Sequence, residues 1–140
     1  MAEIKHLFHI NAPRTKVYEA ISTVKGLSDW WTKQTTGTSE PGGVLEFRFG
    51  SQWLNKMKVI STVPGASVAW ECIEATPDWV GTKITFTLDN NEGKTRVRFS
   101  HSGWKEPNDF YAQCNFSWGR YMESLRSLCE KGQGMPFLTV

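Results

Sequence analysis

Apolar and polar positions alternate with period two over most of the first hundred residues, and the period changes to three and four near the end of the chain. Glu3 to Ile10 reads as a strand rich in branched and aromatic side chains. Asn11-Ala12-Pro13 reads as a helix start, with Asn11 as the cap and Pro13 in the first turn. Val17, Ala20 and Ile21 supply the apolar face of that short helix. A second short helix is expected to begin near Ser28-Asp29 and to carry Trp30 and Trp31.

From Val44 the alternation is regular. Leu45, Phe47 and Phe49 oppose Glu46 and Arg48, and Trp53, Met57 and Val59 oppose Lys56 and Lys58. Val68, Trp70 and Cys72 oppose Ala69 and Glu71, and Ile84, Phe86 and Leu88 oppose Lys83, Thr85 and Thr87. Val97, Phe99 and His101 oppose Arg96, Arg98 and Ser100. Gly and Pro in Glu40-Pro41-Gly42-Gly43 and Val63-Pro64-Gly65-Ala66, and the polar run Asp89 to Gly93, mark the turns. The result is an antiparallel meander of roughly six to seven strands with one apolar face that needs a cover.

That cover follows in the sequence. Phe110, Cys114, Ser117, Trp118, Tyr121, Leu125, Leu128 and Cys129 recur at helical spacing. Pro107 is expected at the first helical position and Asp109 in the first turn, with Lys131 and Gly132 at the far end. The tail from Gln133 to Val140 is expected to lie against the surface. The fold class is α+β, one domain over 1–140, without linker or repeat.

Aromatic residues change the picture most. Seven Trp, eight Phe and three Tyr make up 13% of the chain. Each large ring buries roughly 150–250 Å², so this content points to an apolar interior surface, an interface, or a Trp-filled core. Net charge is +2, with basic residues spread singly, and this disfavours a nucleic-acid partner. No apolar run is long enough to span a membrane, and the first residues lack a signal-peptide pattern, so a cytoplasmic location is expected. Cys72, Cys114 and Cys129 form no CxxC pair and read as reduced thiols.

The order strand, two short helices, antiparallel strands, long helix resembles the START-like (SRPBCC) superfamily with its helix-grip fold. The residues that carry the resemblance are Leu27-Ser28-Asp29-Trp30-Trp31, Gly42-Gly43-Val44-Leu45-Glu46-Phe47, Val68-Ala69-Trp70-Glu71 and Phe99-Ser100-His101-Ser102-Gly103-Trp104. Trp118-Gly119-Arg120-Tyr121-Met122-Glu123-Ser124-Leu125 with Glu130-Lys131-Gly132 resembles the final helix of one branch, that of the activators of the 90-kDa heat-shock protein ATPase. Co-chaperone members of that branch carry a separate preceding domain, which this chain is expected to lack. The resemblance implies a cavity between sheet and helix, used across the superfamily for apolar small molecules.

On that reading the ligand-binding candidates are Trp30, Trp31, Phe47, Met57, Trp70, Phe86, Phe99, His101, Trp118 and Tyr121. The same residues can equally pack on one another, because inward-facing and cavity-lining positions share one period. His101, on the face of Val97 and Phe99, is either an anchor or base for a ligand or a satisfied buried histidine. His6 and His9 lie on opposite faces of a strand, and no Cys/His spacing suits zinc, so neither metal nor cofactor is expected. GxSxG is absent, Gly42-Gly43 is an isolated turn pair, and Ser100 and Ser102 face away from His101. Three functions remain open. One is binding of a small hydrophobic molecule, and a second is a chaperone-associated interaction module using Trp53, Trp79 or Trp104. The third is a cyclase or isomerase using His101 or Tyr121. Homodimerisation is compatible with the sequence but not specified by it.

Overall fold

The computed structural model describes residues 2–138 of the 140. Strand β1 (Ala2–Ile10) is followed by helices α1 (Arg14–Ser22) and α2 (Val24–Trp30). Then come β2 (Gln34–Gly37), β3 (Val44–Phe49), β4 (Trp53–Val63), β5 (Ser67–Glu74), β6 (Lys83–Asn91) and β7 (Lys94–Trp104), and finally helix α3 (Asp109–Lys131). The seven strands form one antiparallel sheet in the order β1-β7-β6-β5-β4-β3-β2. Chain order is kept throughout except that β1 returns to pair with β7. Sheet and α3 grip each other as the helix-grip pattern requires.

Register follows from the alternation. Across β4, β5, β6 and β7 the inward rows align Val59 with Trp70, Val68 with Phe86, Phe86 with Phe99, and Ile84 with His101. A slip of one residue would turn every one of these side chains outward, so the buried face fixes the pairing. Cys114, Trp118, Met122, Ser124, Leu125 and Cys129 form the buried stripe of α3. Met122 and Ser124 belong to that stripe although the spacing did not single them out, while Leu128 is half-buried.

Three local expectations are corrected. Asn11 does not cap α1: Pro13 stands at the N-cap without a side-chain bond, and the Asn11 backbone N–H instead donates to Glu130 Oε2 (2.7 Å). Helix α2 begins at Val24 rather than near Ser28, because the Thr23 hydroxyl accepts from Gly26 N–H and starts the helix a turn earlier. Pro107 lies just outside α3, whose N-cap is Asn108, accepting from Tyr111 N–H (2.9 Å). Gly132 closes α3 in the left-handed region (φ 82°), where a side chain would be strained.

The tail is tied down at several points. Phe137 N–H donates to Trp31 O (2.8 Å) and Lys33 N–H to Phe137 O (3.0 Å), a short parallel bridge beside the end of α2. Ser124 Oγ donates to Trp30 O (2.8 Å) and accepts from Met135 N–H (2.6 Å). Up to Leu138 the expectation of a surface-lying tail thus has a physical basis; positions 139 and 140 lie outside the described residues.

Candidate functional site

A groove with a volume of about 490 Å³ opens between the N-terminal half of α3 and the β3–β4 end of the sheet. Helix α3 contributes Phe110, Cys114, Ser117, Trp118 and Tyr121, which share a face because they recur at three and four residues. Phe49, Trp53 and Asn55 come from the sheet, and Trp31 from the end of α2. Trp79, from the β5–β6 connection, Phe137, from the tail, and Gln113, from α3, complete the lining. The volume falls within the roughly 300–1,000 Å³ typical of small-molecule sites.

Eight of these side chains are aromatic, and none carries a full charge at neutral pH. Burial raises the pKa of both the Tyr121 phenol and the Cys114 thiol, which keeps these groups protonated. Asn55 stands out. It occupies the inward row of β4 with Met57 and Val59, opposite Phe47, and is only 9% exposed. Among the described residues its carboxamide has no hydrogen-bond partner, although it borders the groove.

Behind the groove wall a chain of hydrogen bonds fixes two of the rings. Thr82 Oγ1 donates to Trp79 O (2.5 Å), so its lone pair accepts from His101 Nε2–H at 2.8 Å. Trp118 Nε1–H can only donate, and it does so to His101 Nδ1 (3.1 Å). The imidazole is therefore the neutral Nε2–H tautomer. Its pKa is held down to about 3 by burial. Trp79 and Trp118 are stacked with centroids 6.0 Å apart, and the edge of His101 meets Trp79 at 4.7 Å.

Of the ten ligand-binding candidates, Trp31, Trp118 and Tyr121 line the groove. Trp30, Phe47, Met57, Trp70, Phe86, Phe99 and His101 are fully buried and do not border it. They pack on one another: Phe86 meets Trp70 at 5.5 Å and Phe99 at 5.2 Å, and Trp31 meets Phe47 at 4.3 Å. His101, with both ring nitrogens engaged, holds the wall from behind. Trp79 and Trp104, considered above as exposed contact residues, are buried, and of that trio Trp53 is exposed, at 48%. Asn55, Phe49, Phe110, Ser117 and Phe137 were not anticipated as lining. Asn55 carried a readable signal, a polar residue at inward parity, whereas Phe137 becomes a wall only through the tail's long-range bridge.

Solved structures agree with this architecture. An Aha1 dimer from Colwellia psychrerythraea is 37% identical, with a TM-score of 0.88 over 96% of this chain and 100% of that one. Protein BH1534 from Bacillus halodurans is 26% identical, with a TM-score of 0.73 over 93% and 98% of the two chains. CalU16 from Micromonospora echinospora shares the fold at 13% identity, with a TM-score of 0.78 over 95% and 76%. Among curated proteins none matches. The profile of the family described as "Activator of Hsp90 ATPase homolog 1-like protein" matches residues 11–130, which hold strands β2 to β7, both short helices and all but the last residue of α3. The chain belongs to the Activator of Hsp90 ATPase homolog 1-like family, within the START-like fold.

Proposed function

We propose that this protein binds a small hydrophobic molecule in the groove between the sheet and α3. One observation carries the reading: eight aromatic side chains border an open volume of about 490 Å³ instead of closing it. A ligand covering about 400 Å² of apolar surface there gains roughly 10 kcal/mol gross. Association costs of roughly 4 kcal/mol or more leave micromolar binding within reach. A cytoplasmic setting is part of the reading, supported by three free, buried cysteines.

The test is a thermal-shift and tryptophan-fluorescence screen of lipids and neutral aromatics, repeated on Ser117→Trp. Saturable one-to-one binding that Ser117→Trp abolishes supports the proposal. Absence of saturable binding across the screen refutes it.

The other two functions have less behind them. Burial of Trp79 and Trp104 removes most of the exposed aromatic surface that motivated a chaperone-partner module. A cyclase or isomerase would have to rely on Tyr121, since His101 does not border the groove. Pairing of two copies is supported by the dimeric state of the Colwellia psychrerythraea relative. Light scattering at micromolar concentration distinguishes a monomer from a pair.

A further inference from the structure

We infer that the groove selects flat, neutral aromatic molecules bearing one group that both donates and accepts hydrogen bonds, with the Asn55 carboxamide as the specificity-determining contact. The inference rests on the ligand-binding reading above and names the class of ligand.

Shape comes first. Phe49, Trp53, Phe110, Tyr121 and Phe137 turn half-buried or exposed rings to the groove, over a nearly sealed floor of Trp31, Trp79 and Trp118, with Trp31 and Trp118 centroids 5.0 Å apart and Trp118 stacked on Trp79. Ring faces and edges of this kind favour flat π-systems, which gain from offset stacking beyond simple burial. Charge comes second. Among the described residues none that lines the groove is ionised, Arg120 and Glu123 standing in the adjoining cleft, so a carboxylate or ammonium placed deep in the groove would lose hydration with no counter-charge in return.

Hydrogen bonding comes third. Asn55 is nine-tenths buried on the apolar face of β4, where every neighbour in its row is hydrophobic. Its amide makes no hydrogen bond to the described residues and keeps its remaining exposure towards the groove, so a guest that covers it without pairing it incurs a desolvation cost, and the sheet position itself would be better served by Val or Ile. The carboxamide offers one acceptor and two donors in a plane, the complement of a cis-lactam or similar donor–acceptor pair. A site built this way discriminates against the analogue that lacks the polar group, because binding that analogue leaves the amide dry and unpaired.

Three probes of nearly equal shape test the inference on the full chain: isoquinolinone (a neutral cis-lactam), naphthalene and naphthoate. The expected result by titration is that isoquinolinone binds about tenfold tighter than naphthalene. Naphthoate binds more weakly than either. Asn55→Leu and Asn55→Ser both remove the preference for isoquinolinone while naphthalene binding persists. Each variant is expected to fold, since the Asn55 side chain has no protein partner to lose, and Asn55→Ser adds no apolar bulk. Equal binding of isoquinolinone and naphthalene, or a preference that survives both variants, overturns the role of Asn55 and leaves the hydrophobic groove standing. Tightest binding by naphthoate overturns the neutral class. Failure of all three probes to saturate the protein while another member of the lipid and aromatic screen still binds overturns this inference alone; failure of the whole screen sinks the groove reading and this inference with it.

Discussion

Trp118 donates its indole N–H to Nδ1 of His101 over 3.1 Å, so a ring that walls the groove is held by an imidazole that solvent does not reach. The opposite nitrogen is bound through Thr82 to the backbone of Trp79, the neighbouring wall. Protonating Nδ1 would set two N–H groups against each other. The wall and the neutral state of His101 therefore depend on one another.

Stability should consequently fall in acid. In the folded protein His101 titrates at about 3, below the ordinary value of 6.5. Between these values the unfolded chain binds a proton that the folded chain does not. Stability is therefore fully present above about pH 6.5 and declines as pH falls towards 3, by roughly 1.4 kcal/mol per pH unit at the steepest. His101→Gln retains a donor and an acceptor but cannot titrate. Urea melts from pH 7 to 4 should show a shallower decline for this variant. Parallel declines would show that His101 is not the group responsible.

Ser124→Ala should loosen the tail. Its buried hydroxyl satisfies both Trp30 O and Met135 N–H, and Ala leaves the two backbone groups unpaired. The expected cost is about 1–3 kcal/mol, with faster amide exchange at Met135 and faster proteolysis after Gly132. Unchanged exchange at Met135 would mean that the bridge to Phe137 suffices on its own.

The three thiols should react in a fixed order. Burial pushes Cys72 and Cys129 up to about 11, and neither borders the groove. Cys114 does border it. Iodoacetamide at pH 8 should label Cys114 first, slowly, and a bound ligand should protect it. Labelling of Cys72 or Cys129 at a comparable rate in the folded protein would contradict this order.

Trp31→Ala should be among the most damaging substitutions. Trp31 is buried against Trp30, Phe47, Phe49, Trp70 and Trp118, joining core to groove. Loss of about 3–5 kcal/mol is expected by chemical denaturation. Trp53→Ala, on the exposed rim, should cost less than about 1 kcal/mol.

The fold was largely legible because its evidence is periodic. Strands β3 to β7 carry alternation over six or more residues, and α3 carries a stripe, an N-cap region and Gly132. Strand β2 was not legible: Gln34-Thr35-Thr36-Gly37 has no apolar alternation and is recruited by pairing with β3. The site was legible only in part. Phe47 and Phe49 share a parity, yet Phe47 is sealed between Trp31 and Trp70 while Phe49, a step nearer the strand end, borders the groove. Period two tells inward from outward; it does not tell depth along the strand. Trp53 shows the same limit, since it shares parity with Met57 but stands beyond the edge of the core.

The aromatic content has an optical consequence. Trp30, Trp31, Trp70, Trp118, Trp79 and Trp104 are linked ring to ring at centroid distances of 5.0–6.4 Å. At such spacings excited states are shared, so light absorbed deep in the protein can be emitted, or extinguished, at the groove. A guest that quenches one of the groove-side rings would then lower the emission of the rings linked to it, which gives the fluorescence titration its readout.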